Sequence, residues 1–332
     1  MTRWKERAEL LNTLGVQFDL AVEAHDLLRG ARGGEVPGVA LEEEEMANAT
    51  VKTVTILNEQ GAREMAKPIG TYITITSDAL KINNHAQHEE LAAVLTACLQ
   101  KLLPLRSPDD LVLVVGLGNW KATPDSLGPR VTGQTMATRH LFGRIPPEIL
   151  EGVRPVSTLA PGVLGITGIE TAEIIQSVVE RIKPKVVIAF DALAAGDVSR
   201  IGTTIQLANT GINPGSGLGN HRIGLNEETL GVPVIAVGIP TVVNAAVIAH
   251  NVLEGFLEQL ENKPHLQKIL DDLPQPLLEN VIHHTLAPYE THLAVTPKEI
   301  DDIIDNAVDV IAQSLKASLH PHMNEDFANC FV

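Results

Sequence analysis

Leu111-Val112-Leu113-Val114-Val115, running into Gly116-Leu117-Gly118-Asn119, is an unbroken apolar stretch that stops at glycines. A strand with one wet face would alternate apolar and polar residues. This stretch does not alternate, so it is read as a strand buried on both faces, the habit of parallel sheets. The pattern returns at Val186 to Phe190, which runs into Asp191, and at Pro233 to Val237. Between the first two, Thr167-Gly168-Ile169-Glu170 has capping-box spacing and predicts a helix to about Ile182, just before Pro184. Strand, helix and strand in alternation predict an α/β fold, a mostly parallel sheet flanked by helices.

Further out, Val51 to Leu57 and Thr71 to Thr76 are rich in β-branched residues and read as strands. His85 to Leu103 reads as a helix ended by Pro104, and Pro240 to about Leu260 as another. Thr296-Pro297-Lys298-Glu299 has capping-box spacing with proline at the first helical position, and its helix runs to about Leu319. The C-terminal part is therefore expected to be helical. Residues 1–50 are charged and turn-rich. They include Arg29-Gly30-Ala31-Arg32-Gly33-Gly34 and the acidic run Glu42 to Glu45, which reads as a solvated face. The expected organisation is a leader and an N-terminal arm (18–50) before a single α/β domain over 51–332.

The 332 residues carry a formal net charge of −16. A surface this acidic repels nucleic-acid phosphate, so direct DNA or RNA binding is not expected. Aromatics are only 3%, which leaves Ala, Val, Ile and Leu to fill the core. The two cysteines, Cys98 and Cys330, form neither a disulfide framework nor a metal-type cluster. The start of the chain is charged, and no apolar run is long enough to span a membrane, so a soluble intracellular protein is expected.

Ligands of an open parallel sheet bind outside the carboxyl ends of its strands. Two carboxylates fall there. Asp191 follows Val186 to Phe190, and Asp125 lies in the loop after Leu111 to Val115. Two carboxyls brought close cannot both ionise cheaply. One holds a proton while the other accepts one, and such a pair can activate water and protonate a leaving amine. The alternative is that Asp125 caps a turn and Asp191 caps the next helix. Gly116-x-Gly118-Asn119 lacks the third glycine of a dinucleotide loop, so no cofactor is expected there. Gly116 and Gly118 instead read as a tight turn open to a peptide backbone, and donors from Gly116 to Asn119 are expected to serve the developing oxyanion. In Gly211 to Asn220, the N–H groups around Gly215-Ser216-Gly217 could serve an oxyanion; the alternative is a flexible surface loop. Ser216 is not in a nucleophile elbow, Cys98 reads as core, and His283-His284, His292 and His320-x-His322 match no metal spacing.

The strings around these residues resemble the germination protease (spore protease) family. They include Thr123-Pro124-Asp125-x-Leu127-Gly128-Pro129-Arg130-Val131, Thr138-Arg139-His140-Leu141-Phe142 and Arg154-Pro155-Val156-Ser157. Gly165-Ile166-Thr167-Gly168-Ile169-Glu170-Thr171, Phe190-Asp191-Ala192-Leu193-Ala194-Ala195 and Gly238-Ile239-Pro240-Thr241-Val242-Val243 match as well. So does the leader string Asp19-Leu20-Ala21-Val22-Glu23-Ala24. The resemblance implies an endopeptidase that degrades small acid-soluble spore proteins during germination in the spore core. It maps the family's two aspartates onto Asp125 and Asp191. It implies a hydrogenase-maturation-protease type of fold, phosphorylase/hydrolase-like, and a homotetramer. It also implies an inactive zymogen that removes its own pro-segment, residues 1–17, near Gln17-Phe18 just before Asp19. One departure stands out: the family usually has a basic residue after the Asp-Ala-Leu-Ala-Ala string, and here Gly196-Asp197 follows. Competing readings are a metal-dependent maturation-type protease on the same fold and a non-enzymatic peptide or small-molecule binding module.

Overall fold

In this computed structural model, the structure describes residues 19–32, 34–213, 222–261, 281, 284–286 and 293–323. In chain order the main elements begin with α1 (Ala21–Arg32), β1 (Val39–Met46), β2 (Ala49–Ile56), α2 (Glu59–Met65) and β3 (Gly70–Thr76). Next come α3 (His85–Leu102), β4 (Val112–Gly116), α4 (Leu127–Gln134), β5 (Val156–Leu159), α5 (Thr171–Ile182) and β6 (Val186–Ala195). The series ends with β7 (Thr204–Ala208), β8 (Val234–Asn244), α6 (Ala245–Glu261), β9 (Ala294–Val295) and α7 (Ile300–Leu319).

The fold is α/β. The strands form one sheet in the order β1-β2-β3-β7-β8-β6-β4-β5, with β9 paired to the end of β8. Only β5, β4, β6 and β8 run parallel; the other pairings are antiparallel. The sheet is thus mixed rather than mostly parallel. β2 differs from the buried runs: Ala49 and Val51 enter one core cluster and Val54 and Ile56 another, while Thr50, Lys52, Thr53 and Thr55 stay part-exposed, so this half is less fully covered than the parallel half, as antiparallel strands tolerate.

The parallel half is buried on both faces, as the apolar runs require. Val112, Val114, Val186, Ile188 and Phe190 pack with Leu91, Leu95 and Leu99 of α3 and Ile304, Val308 and Ile311 of α7. Their neighbours in sequence, Leu113, Val115, Val187 and Ala189, face the other way onto Ala172, Ile175 and Val179 of α5. Each Val, Leu, Ile or Phe among them stabilises the fold by roughly 1.5–3 kcal/mol when fully buried.

Several expected boundaries move. β6 does not stop at Phe190 but runs through Asp191 to Ala195, because β8 continues beside it. β8 in turn runs to Asn244, so Pro240 lies in a strand and α6 starts at Ala245. Pro240 is tolerated where the register shifts between Leu193 and Ala194 and Thr241 is the extra residue. Neither capping box forms. Thr167 ends a single turn, Leu164–Thr167, and the residue before α5, Glu170, makes no side-chain cap bond. The Thr296 hydroxyl donates to the Thr241 carbonyl at 2.8 Å, and α7 begins at Ile300. Of the arm expected over 18–50, the described residues pack with the rest: Leu20, Ala21 and Val22 are fully buried and β1 is an edge strand of the sheet.

Candidate active site

β4 ends at Gly116, which lies directly against α4: a Cβ there would fall 2.0 Å from the Gly128 carbonyl oxygen. The chain then turns at Gly118 (φ +111°), whose missing Cβ would meet the Asp125 carbonyl oxygen at 2.1 Å. These two close approaches fold the loop back so that Asp125 hangs over the end of the sheet. Asp125 closes a short 3-10 turn, Thr123–Asp125, and its Oδ2 accepts the Asn119 N–H at 2.9 Å. It therefore caps its loop, and its carboxyl still reaches the cleft.

Asp191 sits inside β6. Strand alternation puts it on the face of Val187 and Ala189. It is only 6% exposed, and its Oδ1 accepts the Ala192 N–H at 2.9 Å. It is not a helix cap. Asp125 and Asp191 line the same cleft of about 830 Å³, together with Gly118, Asn119, Asp19 and Lys67. Burial, then the Asp125 charge, then that of Asp19, push the Asp191 carboxyl well above the ordinary carboxylate range. Burial also raises Asp125, against the pull of the Asn119 N–H.

The leading segment of the described chain forms one wall. Asp19 Oδ2 accepts the Ala194 N–H at 2.9 Å, and both Glu23 carboxyl oxygens accept the Gly196 N–H, at 2.9 and 3.1 Å. The Asp19 carbonyl accepts from Lys67 Nζ and Gln206 Nε2, each at 3.0 Å, and Gln206 Oε1 accepts the Ala21 N–H at 2.6 Å. Burial pushes Glu23 up to about 7, with the Gly196 N–H pulling down. Burial lowers Lys67, opposed by the charges of Asp19 and Glu23. Arg222 also lines the cleft, and its Nη1 donates to Glu170 Oε1 at 3.2 Å.

The structure thus brings Asp125, Asp191, Gly118 and Asn119 together. Gly116 is buried beneath them against α4. The Asn119 N–H is engaged with Asp125. Gly215, Ser216 and Gly217, and the expected cleavage residues Gln17 and Phe18, lie outside the described residues. Sequence reading did not single out Asp19, Glu23 or Lys67 as part of the site. The leader string that holds Asp19 and Glu23 was the available signal; Lys67 had none. The departure at Gly196-Asp197 is accommodated in place: Gly196 bonds to Glu23, and Asp197 Oδ1 accepts the Ser199 N–H at 2.8 Å. Among the described residues, no group of three or more His, Cys, Asp or Glu side chains is arranged to hold a metal ion. Likewise, no helix among them is long and apolar enough to cross a membrane.

A family model described as germination protease matches residues 21–265 and 249–332. A germination protease of Caldanaerobacter subterraneus subsp. tengcongensis is 44% identical over 324 residues, covering 96% of this chain and 99% of that one. A germination protease of Clostridium perfringens strain 13 is 45% identical over 323 residues, with the same shares covered. Among solved structures, the [NiFe] hydrogenase maturation protease HycI of Thermococcus kodakarensis KOD1 aligns over 43% of this chain and 80% of its own, at 19% identity and a TM-score of 0.29.

Proposed function

The chain belongs to the germination protease family, and from that premise we propose that it is an endopeptidase whose water nucleophile is activated by the pair Asp125 and Asp191. The observation that carries the pair is the buried Asp191 carboxyl facing one cleft with Asp125, whose charge is the strongest acting on it. Burial supports Asp191 as the partner that holds a proton at neutral pH. Asp125, half-buried and bonded to one N–H, is then the carboxylate.

The chemistry follows. Asp125 takes a proton from water as its oxygen bonds to the scissile carbonyl carbon. Asp191 gives its proton to the amide nitrogen as the C–N bond breaks. The proton left on Asp125 returns to Asp191 through solvent, and the pair is restored. The substrates in this reading are the small acid-soluble spore proteins, degraded during germination in the spore core. The protein assembles as a homotetramer and is made as a zymogen that removes residues 1–17 itself.

One experiment tests the pair and the processing together. Wild-type protein mixed with an acid-soluble spore protein should cut it, and N-terminal sequencing should find a new start just before Asp19. Asp125→Asn and Asp191→Asn should each lower cleavage by at least about a thousandfold, keep residues 1–17 and unfold at a similar temperature. A fully active Asp125→Asn enzyme would falsify the pair.

A further inference from the structure

We propose that the edge of β6 beyond the end of β4 binds the substrate main chain as an added strand. The proposal rests on the protease reading above and says where the peptide lies.

The Leu117 N–H donates to the Phe190 carbonyl at 2.8 Å, and this bond lies at the end of the β4–β6 ladder, whose last paired residues are Gly116 and Phe190. On the other side of β6, the Val187 N–H donates to the Pro233 carbonyl just before β8. Backbone groups alternate sides along a strand. Odd-numbered residues therefore serve β8, and the N–H groups of Ala192, Ala194 and Gly196 face the side that β4 has left.

Each of these three amides is met by a side-chain carboxyl oxygen rather than by a strand. Asp191 takes Ala192, Asp19 takes Ala194 and Glu23 takes Gly196, all at 2.9 Å. Two of those carboxylates come from a segment more than 170 residues away in sequence. They stand where the carbonyl oxygens of a neighbouring strand would stand. Alternate amides on a strand are roughly 6.6 Å apart, and an extended peptide presents a carbonyl at the same repeat. Ala192, Leu193 and Ala194 line the cleft that holds Asp125 and Asp191.

A peptide seated here replaces the oxygens of Asp19 and Glu23 with its own carbonyls. Its scissile bond comes to the Asp191 end of the row. Main-chain bonds hold it without regard to side chains, the general advantage of strand addition. Asp19 and Glu23 are then placeholders that withdraw on binding.

The test uses a peptide of about ten residues spanning the first cut in an acid-soluble spore protein. It is N-methylated at one residue at a time, and wild-type kcat/KM is measured for each. Methylation removes a donor and blocks pairing only where the N–H faces β6. Losses of tenfold or more at every second residue on one side of the cut, with less than about threefold between them, are expected. Uniform losses, or losses confined to the scissile bond, overturn the proposal. In parallel, Asp19→Ala should lower KM at least about threefold by freeing the Ala194 amide; an unchanged or raised KM overturns it too. A protein that cuts no acid-soluble spore protein refutes the protease reading. A protein that cuts one with a flat scan refutes only the strand.

Discussion

At the scale of residues, Gly118 shows how sequence and site are joined. The missing side chain makes room for the chain's own Asp125, whose carbonyl and Oδ1 would lie 2.1 and 3.0 Å from an added Cβ. A tight turn was legible from Gly116-x-Gly118. That the approaching backbone belongs to the same loop was not, because it depends on where the chain returns seven residues later. Gly118→Ala should therefore displace Asp125. We expect kcat/KM to fall by roughly ten- to a hundredfold, with a stability loss of about 1–3 kcal/mol. Steady-state kinetics beside urea denaturation checks both, and an active, stable variant contradicts the placement. Asp125 and Asp191 were legible as carboxylates after apolar strands. Capping and catalysis looked like alternatives for Asp125, yet one oxygen caps the loop while the carboxyl still lines the cleft. Asp19, Glu23 and Lys67 were not legible as site residues. Their partners are fixed by tertiary packing, with Asp19 reaching Ala194 of β6 and Glu23 reaching Gly196 just beyond it, across 175 and 173 residues of sequence.

At the scale of elements, the buried strands were plain because their apolar runs have no polar break. Their ends were not plain. β6 and β8 outlast the apolar runs because each supplies the other's ladder as far as Ala195 and Val243. The two capping boxes failed because spacing reports what a threonine can reach, not what it finds: Thr296 finds the Thr241 carbonyl instead. Two elements meet closely at the end of β4 and the start of α4. An added Cβ at Gly116 would lie 2.0 Å from the Gly128 carbonyl oxygen, and one at Gly128 would lie 2.3 Å from that of Leu117. Both obstacles are backbone and cannot rotate away. Gly116→Ala should destabilise the protein by about 1–3 kcal/mol or more and shift α4 from β4. Denaturant titration reads the loss; a variant as stable as wild type would show that the contact yields.

At the scale of the whole molecule, two buried groups pull stability in opposite directions with pH. Glu23 moves from 4.5 up to about 7 on folding, so the folded protein holds that proton longer than the unfolded chain. Its contribution is complete below pH 4.5 and is lost as pH rises to about 7. His320 moves from 6.5 down to about 4, through burial and the nearby Arg154, whose own N–H donates to His320 Nδ1 at 3.1 Å. Its contribution is complete above pH 6.5 and is lost as pH falls to about 4. Each shift corresponds to about 3 kcal/mol, so in wild type the two slopes largely cancel between pH 4.5 and 6.5. Single variants should uncover them. Between pH 4 and 8, Glu23→Gln should gain about 3 kcal/mol relative to wild type, and His320→Gln should lose a similar amount. Unfolding free energies across that range decide it, and parallel curves for all three proteins contradict it. The α/β class was legible at this scale because it follows from alternating strands and helices. The antiparallel half was not, since strand pairing across the sheet leaves no local mark.

Glu42 to Glu45 lie exposed on β1, the strand at one end of the strand order. They alternate faces, so a strand arriving from solvent would meet carboxylates above and below it. Geometry alone would let the ladder continue with a further copy of the chain. The sheet ends there by charge, and the acidic run that looked like a plain solvated face is what gives the molecule a border.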